Sequence, residues 1–119
     1  MKNNLPNIIP IFPLSNFIFF PNTSAPLNIF EPRYIAMIDQ CMKTDRLLGM
    51  AQPKRITGNE IPELFDVGCL GKISSFNETE DGRYVIVLNG ITRFNIIKEI
   101  ENKKNFREFE INFHNFESD

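Results

Sequence analysis

The sequence predicts a mainly β fold with one or two helices, in the α+β class. Only one stretch, beginning at Pro32, repeats apolar side chains at the three- and four-residue spacing of a helix. From Phe65 onward the chain is rich in β-branched and aromatic residues separated by Gly, Asn and Asp turn signals. The 119 residues, with 42% hydrophobic and 24% charged side chains, are typical of a single folded domain. We therefore expect one domain spanning residues 1–119.

Prolines divide the first third of the chain. The segment Ile8–Leu14 is apolar but contains Pro10 and Pro13, which predicts a short strand at the edge of a sheet, because proline cannot donate to a neighbouring strand. The apolar run Phe17–Pro21 leads into turn-forming residues and predicts a loop or short strand. The extended segment that follows should end at Glu31, since a residue before proline is held in extended geometry.

A helix is predicted to begin at Pro32. Proline is favoured at the first helical position, and Glu31 brings a negative charge to the positive end of the helix dipole. One apolar stripe should face the core, and Lys43–Asp45 should end the helix. The stripe consists of Tyr34, Ile38 and Cys41, with Met37 and Met42 beside it.

The remainder of the chain is predicted to be strands joined by turns. Leu47–Ala51 is a buried strand, Pro53–Pro62 a loop, and Val67–Phe76 a strand. Asp81-Gly82 indicates a hairpin with a type I′ turn, in which both central residues have positive φ.

Two features near the end of the sequence complete this prediction. Asn89-Gly90 is either a second tight turn or a glycine bulge that bends one long strand over residues 84–97. Phe106, Phe109, Ile111 and Phe113 indicate a last strand whose inward register shifts by one residue.

Composition narrows the classes of function. The net charge of −2 and pI of about 5.4 disfavour nucleic acid as a partner, because nucleic-acid affinity depends on Lys and Arg neutralising phosphates. Cys41 and Cys69 have no CxxC spacing and should be reduced thiols. Pro10 and Pro13 interrupt the N-terminal apolar run, so neither a signal peptide nor a membrane span is expected, and the expected location is cytoplasmic.

No catalytic, metal or cofactor site is expected. The stretch Gly68–Lys72 lacks the spacing of a phosphate-binding loop, and His114 is the only histidine available to a catalytic triad. Cys41, Cys69 and His114 are too few and too scattered for zinc. Glu78 and Glu80 flank a turn, where solvated acids are common. The chain should therefore show neither peptidase nor ATPase activity.

Four blocks of sequence carry a resemblance to a known family. The sequence of residues 26–34, PLNIFEPRY, resembles the Lon protease N-terminal domain family, also called the Lon substrate-binding domain. Upstream, residues 11–14 followed by residues 19–21 also resemble this family. Downstream, residues 67–73 and then residues 81–84 followed by residues 88–94 resemble its later strands in order and spacing. This resemblance implies a PUA-like β pseudobarrel with a helix packed against it. Phe30, Glu31, Pro32, Arg33 and Tyr34 form its structural signature.

The resemblance also implies a function. A domain of this family would recognise unfolded or degradation-tagged polypeptide without catalysing a reaction, in support of ATP-dependent proteolysis. Its partners would be unfolded or partly folded polypeptide and either a protease or further copies of itself, but neither nucleic acid nor a membrane. The alternative is an RNA-binding module, because PUA-like barrels also serve in that role. Longer family members add a helical bundle that a chain ending at Asp119 lacks, so no function of those helices is expected.

The candidate substrate-binding residues form one apolar run. In an extended segment alternate side chains face opposite ways, so four consecutive apolar residues cannot all point inward. Either both faces are covered by the rest of the domain, or some of these side chains form an exposed patch that binds polypeptide. The residues are Phe17, Ile18, Phe19, Phe20 and Pro21.

Arg33 is expected to need a compensating partner. A cation in the first turn of a helix opposes the helix dipole at a cost of about 0.3–1 kcal/mol. We therefore expect Arg33 to bond a carboxylate or backbone carbonyls of the adjoining strands, with Glu63 and Asp66 as the first candidates. The alternative is a solvated side chain whose stem covers apolar surface.

Overall fold

A computed structural model describes residues 4–14, 19–55 and 63–119. The chain forms one helix and eight strands within these ranges, which confirms the mainly β class. In chain order they are β1 (Ile8–Pro13), β2 (Ser24–Ile29), α1 (Pro32–Lys43), β3 (Leu47–Ala51), β4 (Pro53–Arg55), β5 (Glu63–Leu64), β6 (Val67–Glu78), β7 (Tyr84–Ile100) and β8 (Glu108–Asn112).

Six of the strands form a sheet that closes on itself. The order is β2-β7-β6-β3-β1-β8, and the far end of β7 returns to pair with β8. Closure is possible because β7 is 17 residues long: residues 84–89 pair with β2, residues 84–95 pair with β6, and residues 95–100 pair with β8. Strands β4 and β5 form a separate two-stranded sheet. The predicted loop over Pro53–Pro62 was therefore wrong at its start, and residues 56–62 lie outside the described part.

The prediction of an edge position for β1 was wrong. Residues 8–10 pair antiparallel with β8, and residues 11–13 pair parallel with β3, so the strand lies inside the sheet. Pro10 is the last residue of the first pairing and Pro13 the last of the second. The two prolines are tolerated because each lies where one pairing ends, and the amide of Ile11 between them still donates to Arg107 O at 3.2 Å.

The hairpin between β6 and β7 exists, but its turn is not type I′. Of its two central residues only Gly82 has positive φ, at 85°. Gly82 N donates to Thr79 O at 3.1 Å, and Thr79 N donates to Arg83 O at 2.8 Å, the pattern of a three-residue loop with glycine in the left-handed position. The Thr79 side chain favours this wider loop, because its hydroxyl bonds Asp81 and accepts from Arg83 N.

The bulge alternative at Asn89-Gly90 is confirmed. Strand β7 continues through Gly90, which pairs with Gly71, while Thr92 pairs with Leu70. Ile91 is therefore the extra residue, and β7 bends there.

Two apolar cores lie on opposite sides of the sheet. The first fills the closed sheet, and the second lies between the sheet and α1, whose buried face is Met37, Ile38 and Cys41. The first consists of Ile9, Ile11, Leu47, Ala51, Leu64, Leu70, Phe94, Phe109, Ile111 and Phe113. The second consists of Ile29, Met37, Ile38, Cys41, Leu48, Met50, Ile73, Ile86, Leu88 and Phe106.

Helix α1 begins at Pro32 and ends at Lys43, as predicted. Asp39 on its surface accepts a hydrogen bond of 2.6 Å from the Tyr84 hydroxyl, which ties the helix to the start of β7. The ring of Tyr34 packs on Phe12 with centroids 4.4 Å apart. Among the described residues no helix has the length and apolar character needed to cross a membrane.

The ring of Phe94 determines which residues can face it inside the closed sheet. Phe94 is fully buried, and a Cβ at Gly49 or Gly68 would lie 2.9 Å or 2.6 Å from its Cζ. Both distances are shorter than real Cβ contacts, so the two positions leave no room for a side chain while Phe94 stays in place.

Alanine at position 68 should destabilise the fold more than alanine at position 49. A Cβ at Gly68 would also lie 2.6 Å from the backbone oxygen of Met50, whereas a Cβ at Gly49 meets only side chains, the nearest being Ile9 Cδ1 at 2.8 Å. Side chains can shift more easily than a paired backbone. We expect urea denaturation to show a loss of about 2–3 kcal/mol in unfolding free energy for Gly68→Ala and about 1 kcal/mol for Gly49→Ala.

Gly82→Ala is the matched control, because a Cβ there meets nothing within 4 Å and the cost arises only from its φ of +85°. Combined with Phe94→Leu, Gly49→Ala should cost less than the sum of the two changes, whereas Gly82→Ala should be additive. Additivity in both pairs would show that Phe94 does not restrict position 49.

Candidate functional site

An apolar groove of about 380 Å³ lies beside the end of β3. One wall is the Phe19–Phe20 loop, and the other is the segment from Phe65 to the start of β6. Its lining consists of Leu14, Phe19, Phe20, Met50, Ala51, Gln52, Phe65, Val67, Gly68, Cys69 and Arg93.

Three large apolar side chains of this groove are about half exposed. Phe20 is 53% exposed on one wall, and Phe65 and Val67 are 47% and 44% exposed on the other. All three line the same groove, and exposed apolar side chains that gather in one groove are typical of a binding site.

The apolar run predicted to bind substrate is divided between surface and core. Phe20 is exposed, whereas Phe19 is partly buried and packs against the core beneath α1. Pro21 is partly buried in the following turn. Phe17 and Ile18 lie outside the described residues. Of the two described phenylalanines, Phe20 is therefore on the surface and Phe19 is partly covered, and binding of polypeptide by this run stays a prediction.

A turn fixes the direction of Phe20. Thr23 N donates to Phe20 O at 3.3 Å, with Pro21 and Asn22 as the central residues. Asn22 has φ of 64°, so the arrangement is that of a type II turn, which accepts proline first and asparagine second. The Thr23 hydroxyl adds a hydrogen bond of 2.6 Å to Phe20 O.

Gly90 holds this turn against the sheet. Asn22 N donates to Gly90 O at 2.9 Å, and Gly90 N donates to Thr23 O at 2.8 Å. A Cβ at position 90 would lie 2.0 Å from Phe20 O, so only glycine permits this approach. The sequence indicated a bulge at Gly90 but gave no indication that the bulge contacts the apolar run.

Arg93 is the charged residue of the groove lining. Asp119 binds it through both carboxylate oxygens, with Nε and Nη2 each 2.9 Å away, and also accepts from Arg93 N at 3.0 Å. The guanidinium carbon lies 4.6 Å from the centre of the Phe116 ring. Sequence reasoning missed this pair, which is separated by 26 residues.

The thiols in and near the site are poor nucleophiles. Burial, followed by the charge of Asp119, raises the pKa of Cys69 to about 12. Burial, followed by the charge of Asp45, raises the pKa of Cys41 to about 12 as well. Both are free cysteines that stay protonated at neutral pH, and a thiol reacts through its thiolate. The described residues contain no group of three or more His, Cys, Asp or Glu side chains able to hold a metal.

The prediction that Arg33 bonds the adjoining strands, with Glu63 or Asp66 as its partner, was wrong. The Arg33 Nε lies 3.0 Å from Glu31 Oε2, and the guanidinium carbon lies 4.7 Å from the centre of the Tyr34 ring. The pair is local because Glu31 is close enough to reach Arg33 without crossing to the strands, where Asp66 is exposed and the Glu63 side chain lies outside the described part. With the Arg33 side chain 58% exposed, such a pair contributes only about 0–1 kcal/mol.

The signature segment around this pair starts the helix. Phe30 is 66% exposed at the end of β2, and Glu31 O accepts the first two helical hydrogen bonds, both 2.9 Å, from Tyr34 N and Ile35 N. Pro32 occupies the first turn, where no amide donor is needed. The segment thus has a structural role in the described fold.

Residues 8–119 match the family described as the ATP-dependent protease La (LON) substrate-binding domain. Among similar sequences, Lon protease 2 of Myxococcus xanthus is 26% identical over 102 residues, which is 84% of this chain. Lon protease 1 of Bdellovibrio bacteriovorus is 31% identical over 91 residues, or 75% of this chain. The chain spans 12% of the length of each of these relatives.

Solved structures share the fold. The Lon N-terminal domain protein from Xanthomonas campestris superposes with a TM-score of 0.69 at 24% identity, covering 87% of this chain and 57% of that one. The N-terminal domain of the Mycobacterium avium complex Lon protease gives 0.67 at 18% identity, covering 87% and 53%. At these identities the likeness establishes the architecture, which agrees with the pseudobarrel implied by the sequence.

Alanine at position 90 should detach the Phe20 turn from the sheet. Its Cβ would collide with Phe20 O and break the hydrogen bond from Asn22 N to Gly90 O. We expect amide hydrogen exchange at Asn22 to accelerate by about tenfold or more in Gly90→Ala, because the free energy needed to open the turn locally becomes smaller. Gly82→Ala, in the distant hairpin, should leave Asn22 unchanged. Equal Asn22 protection in Gly90→Ala and the unmodified protein would contradict the role of Gly90.

The raised thiol pKa values predict a loss of stability at alkaline pH. Below about pH 9 the thiols are protonated in both states, but above it the unfolded chain releases protons that the folded chain retains. The free energy of unfolding should therefore fall by roughly 1–2 kcal/mol between about pH 8 and about pH 10. Urea denaturation at both pH values measures this fall. In Cys69→Ala this loss of stability should be smaller. An equal loss in that variant would show that other titrating groups cause it.

Proposed function

The chain belongs to the substrate-binding domain family of ATP-dependent protease La (Lon), and from this we propose that it binds unfolded or degradation-tagged polypeptide through the groove between Phe20 and Phe65. The family is a substrate-binding one, so the chain is a non-catalytic domain. The chemistry of proteolysis would come from the ATPase and protease functions of a Lon-type enzyme that the domain serves.

The observation that carries this proposal is the half-exposed apolar surface on both walls of the groove. Unfolded polypeptide differs from folded protein mainly in displaying apolar side chains, which gain free energy when they leave water. Phe20, Phe65 and Val67 offer a surface on which such side chains can be buried. The groove volume is within the range of ordinary ligand pockets, roughly 300–1,000 Å³, and suits side chains rather than a folded surface.

The rigidity of one wall supports the same proposal. Two hydrogen bonds, from Asn22 N to Gly90 O and from Gly90 N to Thr23 O, hold the Phe20 turn, so little conformational freedom is lost when a ligand contacts Phe20. A preformed surface binds more tightly than one that must be ordered first.

The extent, location and partners of the domain follow from the same proposal. We take residues 1–119 as one recognition domain that acts in the cytoplasm and is joined to, or assembles with, a protease or further copies of itself. The net charge of −2 favours polypeptide over RNA as the ligand, because phosphates would meet an acidic domain.

Replacing exposed rings of the groove should weaken polypeptide binding without unfolding the domain. Phe20→Ser and Phe65→Ser should each reduce affinity for a reduced and alkylated, permanently unfolded protein by about fivefold or more. Thermal stability should change little, because both rings are about half exposed. Fluorescence anisotropy measures the first quantity and calorimetry the second.

Phe30→Ser is the matched control, because Phe30 is an exposed ring at the other end of β2. It should leave affinity unchanged. Phe19→Ser, by contrast, should destabilise the fold, since Phe19 packs against a core. Equal loss of binding in Phe30→Ser and Phe20→Ser, or no loss in either, would exclude the groove as the binding site.

A further inference from the structure

The apolar groove contains one charged side chain among its described lining residues. Arg93 lies on β7 with its side chain 48% exposed, and the other lining residues are apolar or uncharged. A half-exposed guanidinium beside an apolar wall would by itself attract polypeptide segments that carry a carboxylate.

Asp119 cancels this charge with a geometry that the fold imposes. Its carboxylate takes three hydrogen bonds of 2.9–3.0 Å from Arg93 and is only 10% exposed. Phe116 N donates to Phe113 O and Asp119 N donates to Phe116 O, so two successive turns lead from the buried Phe113 to Asp119. The Arg93 guanidinium also stacks on the Phe116 ring.

We propose that Asp119 determines the charge preference of the groove: by neutralising Arg93, it removes the attraction for acidic residues, so that apolar segments bind irrespective of the charge that flanks them. This inference rests on the proposed polypeptide binding. An acidic segment gains little net attraction from Arg93, because Asp119 already neutralises the guanidinium and binds it at Nε and Nη2. An apolar segment needs no such attraction and contacts Phe20, Phe65 and Val67 directly. Asp119 is thus a specificity-determining residue that need not touch the ligand.

Three variants test the proposal, and two of them should shift the charge preference in opposite directions. The probes are apolar peptides that differ only in one flanking residue, which is Asp, Asn or Lys. Asp119→Asn leaves the cation without its counter-charge and should favour the Asp peptide over the Asn peptide by roughly threefold to tenfold. Arg93→Gln removes the cation and should favour the Lys peptide instead. The double variant and the unmodified protein should each bind all three peptides equally.

Salt and a matched ion pair provide the controls. The preference of Asp119→Asn should disappear at about 1 M salt, where charges are screened over about 3 Å. Glu99→Gln removes the acid of another bidentate pair, in which Arg107 Nη2 lies 2.9 Å from Glu99 Oε1, and should leave the charge preference unchanged. Circular dichroism of each variant establishes that it is folded.

The outcomes separate this inference from the proposed function. One outcome is that Phe20→Ser weakens the binding of all three peptides while Asp119→Asn binds the Asp and Asn peptides equally. In that case the role proposed for Asp119 is wrong and the groove remains the binding site. If Asp119→Asn and Glu99→Gln shift the preference equally, the effect is one of net charge and the inference also fails. If no peptide binds the unmodified protein, the proposed function itself is wrong.

Discussion

The fold depends on a single packing constraint, the fit of the Phe94 ring inside the closed sheet. Gly49 on β3 and Gly68 on β6 leave room for this ring, and a Cβ at either position would overlap it. Because the side chains of β7 alternate, burying Phe94 directs the neighbouring Arg93 outward, into the groove lining. The core contact therefore also fixes the position of the one charge in the described part of the groove.

Strand β7 joins the core to the candidate site at a second point. The bulge at Gly90 bends the strand and leaves its amide and carbonyl available to the turn that carries Phe20. A regular strand residue with a Cβ could not accept that turn, since Phe20 O would lie 2.0 Å from it. One wall of the groove is thus bonded directly to β7, the longest of the described strands, whereas Phe65 and Val67 form the other wall.

The electrostatics of the groove are consistent with recognition rather than chemistry. The thiol of Cys69 in its lining is held protonated by burial, and Arg93 is neutralised by Asp119. What remains accessible is apolar surface, whose attraction for ligands is non-directional. The proposed binding of unfolded polypeptide would use this property, because unfolded chains share exposed apolar side chains and no common sequence.

The sequence alone determined the elements whose signals are local. Helix α1 was placed correctly at both ends because proline at its first position and the apolar periodicity lie within the segment itself. Tertiary contacts decided the rest. Strand β1 is internal because β3 and β8 flank it. Phe20 is exposed and Phe19 partly buried, and the turn that begins at Phe20 is held by Gly90, some 70 residues later in the chain. The Arg93–Asp119 pair could not be predicted from the sequence, because the two residues are far apart in the chain and meet only in the folded domain. Helix and turn preferences depend on neighbouring residues and can therefore be predicted from the sequence. Contacts between residues distant in sequence form only when the closed sheet brings those residues together.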